Sequence, residues 1–177
     1  MLTTSYEDIQ EDIVSCTNEI FSTMIPMEIK SDGSFYQKED MISTDVISLV
    51  SYTGEHSGIV AIFCSRSIAL KITSSMLGIE VSEMDQDTKD AMGEVTNMIA
   101  GTLKNKIFVK FGEMHLSVPI VIAGADLSIS SSSSNKDGQN LKISSGVTCD
   151  STNSWLMTPF SSGGEAFNIG FVIKKND

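Results

Sequence analysis

Residues 82–108 read "SEMDQDTKDAMGEVTNMIAGTLKNKIF", and the period of this stretch decides the fold. At about 100° per residue, Met92, Val95, Ile99 and Leu103 fall on one side of a helix as an apolar stripe. Ser82, Asp85 and Asp87 are all capable N-caps, and Lys104 and Lys106 suit the negative end of the helix dipole. The spacing predicts the longest helix of the chain over about residues 87–106, with its apolar face packed on a sheet. The opposite side carries Asp90, Glu94 and Asn97, which share one solvent-facing ridge. Gly93 and Gly101 lie beside them, at about 1 kcal/mol each in helix propensity. These glycines remove side chains that would hold another backbone away.

Outward from this helix, the chain alternates between helical and strand-like periods. "SYEDIQEDIVSCTNEIFSTM" (5–24) sets Ile9, Ile13, Ile20 and Phe21 at helical spacing, and Pro26 ends that helix. Residues 45–53 and 58–64 are β-rich runs joined by "GEHS", a predicted hairpin. "SRSIALKITSSMLG" (65–78) reads as a short helix stopped by Gly78. "MHLSVPIVI" (114–122) reads as one strand whose Pro119 must sit at an edge, a bulge or a strand start, because it has no N–H to donate. Residues 128–140 are serine-rich and read as a mobile connector. "NSWLMTPF" and "AFNIGFVIKK" are two more strands, divided by "SSGG". The expectation is a single α+β domain over residues 1–177, with three helices and a mostly antiparallel sheet of about six strands.

Composition excludes several functions. The three cysteines are far apart and the two histidines have no cysteine nearby, so no disulfide framework or metal site is expected. The net charge is −11: residues 1–95 hold 17 acidic against 5 basic side chains, and residues 96–177 hold 6 against 7. No basic stripe is present for nucleic acid or for an anionic membrane surface. The first residues, "MLTTSYEDIQEDIV", lack a basic start and an apolar core, and no apolar run reaches the length of a membrane span. A cytoplasmic protein is expected, with proteins or small molecules as partners.

What the ridge does is open from the residues alone. It reads as a solvated face in which Asp90 caps at N3 after Asp87 and Glu94 is an ordinary surface acid. Asn97 fits that reading less well, because asparagine gains nothing in mid-helix. No Ser–His pair is placed to support acyl transfer. A carboxylate can pair with a partner's lysine, and a carboxamide can hold a water in a chosen orientation without taking its proton. Phosphoryl transfer is a reaction in which such positioning achieves most of the catalysis. A chain without a phosphate-binding loop or metal ligands would need its partner to bring both.

Asp90, three residues, Glu94, two residues, Asn97, 21 residues, Pro119: the pattern "DAMGEVTN…SVP" resembles the motif of the CheC/CheX/FliY family of chemotaxis phosphatases. "EIFSTMIPMEI" and "LSVPIVIAG" resemble the CheX branch. The resemblance spans roughly residues 5–175. It implies an enzyme that speeds hydrolysis of the phosphoaspartate on a CheY-like response regulator. It also implies that Glu94 pairs with the receiver's active-site lysine and that Asn97 enters the receiver's site to orient the attacking water. Pro119 would fix the strand beside the active helix, and Asp90 is given no chemistry beyond shaping the ridge. Mg²⁺ would come with the phosphorylated receiver.

Members of the CheC type carry a second motif on the first helix. Here that helix offers Asp8, Asp12 and Ser15, whose shorter reach implies one active face, as in CheX. CheX-type proteins also tend to dimerise through their sheets, so a homodimer is expected. Two other readings remain: a receiver-binding module without turnover, such as a flagellar-switch scaffold component, and a small-ligand-binding domain whose ridge is only solvated.

Overall fold

The computed structural model describes residues 6–37, 42–129 and 155–176. In order, the chain forms α1 (Tyr6–Thr23), β1 (Lys30–Ser31), β2 (Phe35–Gln37), β3 (Ile42–Gly54) and β4 (His56–Cys64). It continues through α2 (Arg66–Leu77), α3 (Gln86–Phe111), β5 (Met114–Leu116), β6 (Ile120–Ile129), β7 (Trp155–Ser162) and β8 (Glu165–Lys175). Most of the serine-rich connector expected at 128–140 lies outside the described residues, as does Cys149.

Every strand pairing among the described residues is antiparallel. Across the sheet the order is β1-β7-β8-β4-β3-β5, with β2 also on β7 and β6 also on β3. The sheet is therefore six positions wide, and each outer position is split into two segments. That reconciles the expected six strands with the eight segments found among the described residues. The α+β class with three helices is as expected.

Local chemistry explains where the elements begin and end. Ser65 caps α2 by accepting from the Ile68 N–H at 3.2 Å, and Gly78 ends it at φ +67°, a left-handed conformation open to glycine. Gly163 and Gly164, at φ +57° and +83°, make the tight turn between β7 and β8. The β3–β4 turn is shorter than "GEHS" predicts, because His56 and Ser57 already pair with Lys175 and Lys174 of β8.

The sheet buries apolar side chains on both faces. Val46, Val50 and Tyr52 of β3 point toward the helices and join residues of all three in the main core. Ile47 and Leu49, alternating with them, belong to a second cluster with Ala61, Phe63, Trp155 and Met157. Gly170 lets the rings of that cluster close over β8. A Cβ on it would lie 2.6 Å from Phe63 and 2.8 Å from Trp155. On the helical face α3 is the middle element, in contact with both α1 and α2 and with β3 through β6.

Candidate functional site

The predicted stripe is the buried face of α3: Met92, Val95, Ile99 and Leu103 are all fully buried, joined by Ala100 and Ile107. Hydrogen bonds then fix the helix on β3. The Ser48 and Thr96 hydroxyls are 2.6 Å apart, and both lie within reach of the Met92 carbonyl, at 3.1 and 2.8 Å. Two turns further on, the Tyr52 hydroxyl donates to the Ala100 carbonyl at 3.2 Å. The eight helical residues from Met92 to Ala100 rise about 12 Å, and the four strand residues from Ser48 to Tyr52 span about 13 Å, so both clamps engage together.

With that face fixed, the ridge is presented outward. Asp90 and Glu94 are exposed and Asn97 is half-buried, all on α3. Asp90 is not the cap expected after Asp87. The N-cap is Asp85, whose carboxylate accepts from the Thr88 N–H at 2.9 Å, and Asp90 stands a turn later. The bonds to Thr88 hold the Asp85 carboxyl below its ordinary value. Asp90 accepts from the Gln86 amide at 2.7 Å. The side chains of Glu94 and Asn97, by contrast, have no partner among the described residues.

The helix is also longer than predicted, running to Phe111. Ile107 stays in the core, and His56 Nδ1 lies 2.8 Å from the Phe111 carbonyl at its end.

Pro119 comes to the ridge from the other direction. The single strand expected over 114–122 is two, β5 and β6, with Pro119 in the break between them. Both segments pair with β3. Ser117 carries the ladder across the gap: its N–H donates to the Ser51 carbonyl at 2.9 Å, and its hydroxyl accepts from the Ser51 N–H at 3.0 Å. A Cβ built on Gly93 would lie 3.4 Å from Pro119 and 3.5 Å from Val121. One built on Gly101 would lie 3.9 Å from Leu116. What the two glycines admit is thus side chains of this chain's own β5–β6 segment, not another backbone.

The polar residues of α1 have a different setting. Asp12 pairs with Lys110 at 3.6 Å, and the Lys106 ammonium donates to Ser15 at 3.0 Å. These residues join α1 to α3, whereas Glu94 and Asn97 are unengaged among the described residues.

Other features are set apart from the ridge. Burial pushes the thiols of Cys16 and Cys64 up to about 12, so both are inert at neutral pH. Among the described residues no three His, Cys, Asp or Glu side chains gather to hold a metal. No helix there is long and apolar enough to cross a membrane. A shallow groove of about 810 Å³ runs past α2 between Met27 and Ile79 and includes no ridge residue.

Residues 46–140, more than half of the chain, match the family described as chemotaxis phosphatase CheX. Over 91 residues the chain is 32% identical to the CheY-P phosphatase CheX of Thermotoga maritima. That match covers 51% of this chain and 59% of the relative's length. A chemotaxis protein CheX from Desulfovibrio desulfuricans superposes with a TM-score of 0.76 at 24% identity, covering 94% of this chain and 99% of that one. The CheX–CheY–BeF3–Mg²⁺ complex from Borrelia burgdorferi is similar at TM-score 0.68 and 21% identity, over 93% and 97% of the two chains. At these identities the two structural matches speak for the fold.

Proposed function

The chain belongs to the chemotaxis phosphatase CheX family, and from that premise we propose that it hydrolyses the phosphoaspartate of a CheY-like receiver domain, with residues 1–177 acting as one catalytic domain. The observation that carries this reading is the contrast along α3. The buried hydroxyls of Ser48, Thr96 and Tyr52 that hold the helix are hydrogen-bonded, while Glu94 and Asn97, one turn apart, have no partners among the described residues. A carboxylate and a carboxamide on a fixed helix face are suited to enter a partner's site.

In this mechanism Glu94 pairs with the receiver's lysine and sets the docking register. The Asn97 carboxamide hydrogen-bonds one water in line with the acyl phosphate. The water oxygen forms a bond to phosphorus as the bond to the aspartyl oxygen breaks. The carboxylate leaves, and the water proton passes to the phosphate product. Mg²⁺ held by the receiver supplies charge neutralisation. Pro119 against Gly93 supports the helix from the side, and Asp90, tied to Gln86, shapes the ridge.

Asn97→Ala should dock nearly normally yet lose about 10²–10³ in maximal rate, the cost of removing one positioned transition-state group. Glu94→Ala should weaken binding as well as rate. The measurement is phosphoaspartate decay across receiver concentrations, which separates saturation from turnover. A folded Asn97→Ala that keeps most of the maximal rate removes the water-positioning step. Binding without accelerated decay by the wild type would leave a docking module instead.

A further inference from the structure

Beside the ridge, at the start of α3, lies a second concavity of about 320 Å³, lined by Asp45, Arg66, Lys89, Ala123 and Gly124 among others. Its origin is an irregularity between β3 and β6. Val46 pairs with Ala123 and Thr44 with Leu127, so Asp45 alone faces the three residues 124–126. Asp126 turns through φ +52° to accommodate them. The bulge gives the pocket a lining of small residues.

Arg66 is the only arginine among twelve basic residues in a protein of net charge −11. The Lys71 ammonium pairs with Glu165, Lys110 with Asp12, and Lys106 bonds Ser15. Neither the Arg66 guanidinium nor the Lys89 ammonium has a partner among the described residues, as holds for Lys30, Lys104 and Lys175, but Arg66 and Lys89 line one pocket together. Asp45, the one acid in the lining, already accepts from the Arg66 backbone N–H at 3.2 Å. Two cations without partners among the described residues therefore border one pocket, which suits an anion from outside.

We propose that this pocket receives an acidic side chain of the receiver domain, which makes it a second point of the docking surface; the inference rests on the receiver reading above. Lys89 precedes Asn97 by eight residues, about 12 Å along the helix. A standard interface covers about 800 Å² per partner, a patch about 30 Å across. A receiver centred on Asn97 reaches the pocket. The guanidinium fork binds a carboxylate in bidentate fashion, and Lys89 adds charge. The pocket serves affinity and encounter, and the chemistry stays with Asn97.

The test is Arg66→Glu combined with Lys89→Glu, with Arg66→Gln/Lys89→Gln as a milder pair, each checked for folding by thermal melting. The substrate is the phosphorylated receiver domain that the wild type dephosphorylates, assayed over a concentration series at low and high salt. The half-saturating concentration should rise about tenfold, the maximal rate should hold, and the salt dependence should flatten. An unchanged half-saturating concentration in both folded variants overturns the pocket while leaving the phosphatase reading intact. A fall in maximal rate alone also overturns it. If the wild type neither binds nor dephosphorylates any receiver, the phosphatase reading falls and the pocket proposal falls with it.

Discussion

Gly93 shows how much a single residue position decides at this site. The space beside it is enough for a methyl group, because a Cβ there makes ordinary contacts of 3.4–3.5 Å with Pro119 and Val121. Gly93→Ala should therefore raise stability by up to about 1 kcal/mol, through helix propensity. Gly93→Leu has no such room, and should displace Pro119 and lower both stability and phosphatase rate. Denaturant unfolding of the two variants checks this, and equal destabilisation by Ala and Leu would show that the contact does not govern the site. That Glu94 is exposed and Asn97 lies off the buried stripe was legible in the sequence, since helical period alone sets them opposite Met92 and Val95; that Asn97 is half-buried was not. What lies across from Gly93 was not. Periodicity assigns a residue to a face, whereas its neighbour there depends on the register of β6, set by pairing with β3.

For the elements, α3 is the informative case. Ser82, Asp85 and Asp87 were equal candidates for its cap, because each is a good acceptor ahead of the same apolar period. Thr88 decides among them: its N–H donates to Asp85, and its hydroxyl bonds Asp85 and the Glu83 carbonyl. The far end was underestimated because "FVKF" continues the helix with β-branched and aromatic residues, and Phe108 and Val109 are exposed there. The break at Pro119 was only half legible: proline announces a lost donor, but not that Ser117 patches the ladder with its hydroxyl. The cap carries a pH signature. The folded Asp85 carboxyl titrates below its ordinary value of 3.8, so its stabilisation is complete above that value and is lost as pH falls through the folded value. Asp85→Ala should melt below the wild type at neutral pH, with the gap closing as acid protonates the cap. Melting curves followed by circular dichroism report it, and a gap that persists to about pH 2 would assign the loss to another cause.

Across the whole molecule, the sheet is apolar on both sides, and this too was partly legible. "GIVAIFC" and "FNIGFVI" lack the alternation of a half-solvated strand, which marks burial on both faces but not which face meets the helices. The second face depends on Gly170, where an added methyl would press into Phe63 and Trp155. Gly170→Ala should cost about 1–3 kcal/mol as overpacking. Because this cluster lies across the sheet from α3, catalytic constants of the folded fraction should change little; a large loss of turnover per folded molecule would tie the second face to the site. The Gly93–Pro119 contact carries one more consequence. From Gly93 to the end of α3 the chain advances about 27 Å at helical rise, and from Gly112 back to Pro119 it returns about 23 Å in extended form. The outward and homeward legs nearly match, so the 25 residues between Gly93 and Pro119, which contain the 21 between Asn97 and Pro119, act as a closed measuring loop. A single residue inserted into the helical leg would rotate the remainder by about 100°, and one inserted into the extended leg would exchange inside for outside. The spacing from Asn97 to Pro119 is part of a length the fold must keep to bring Gly93 and Pro119 together.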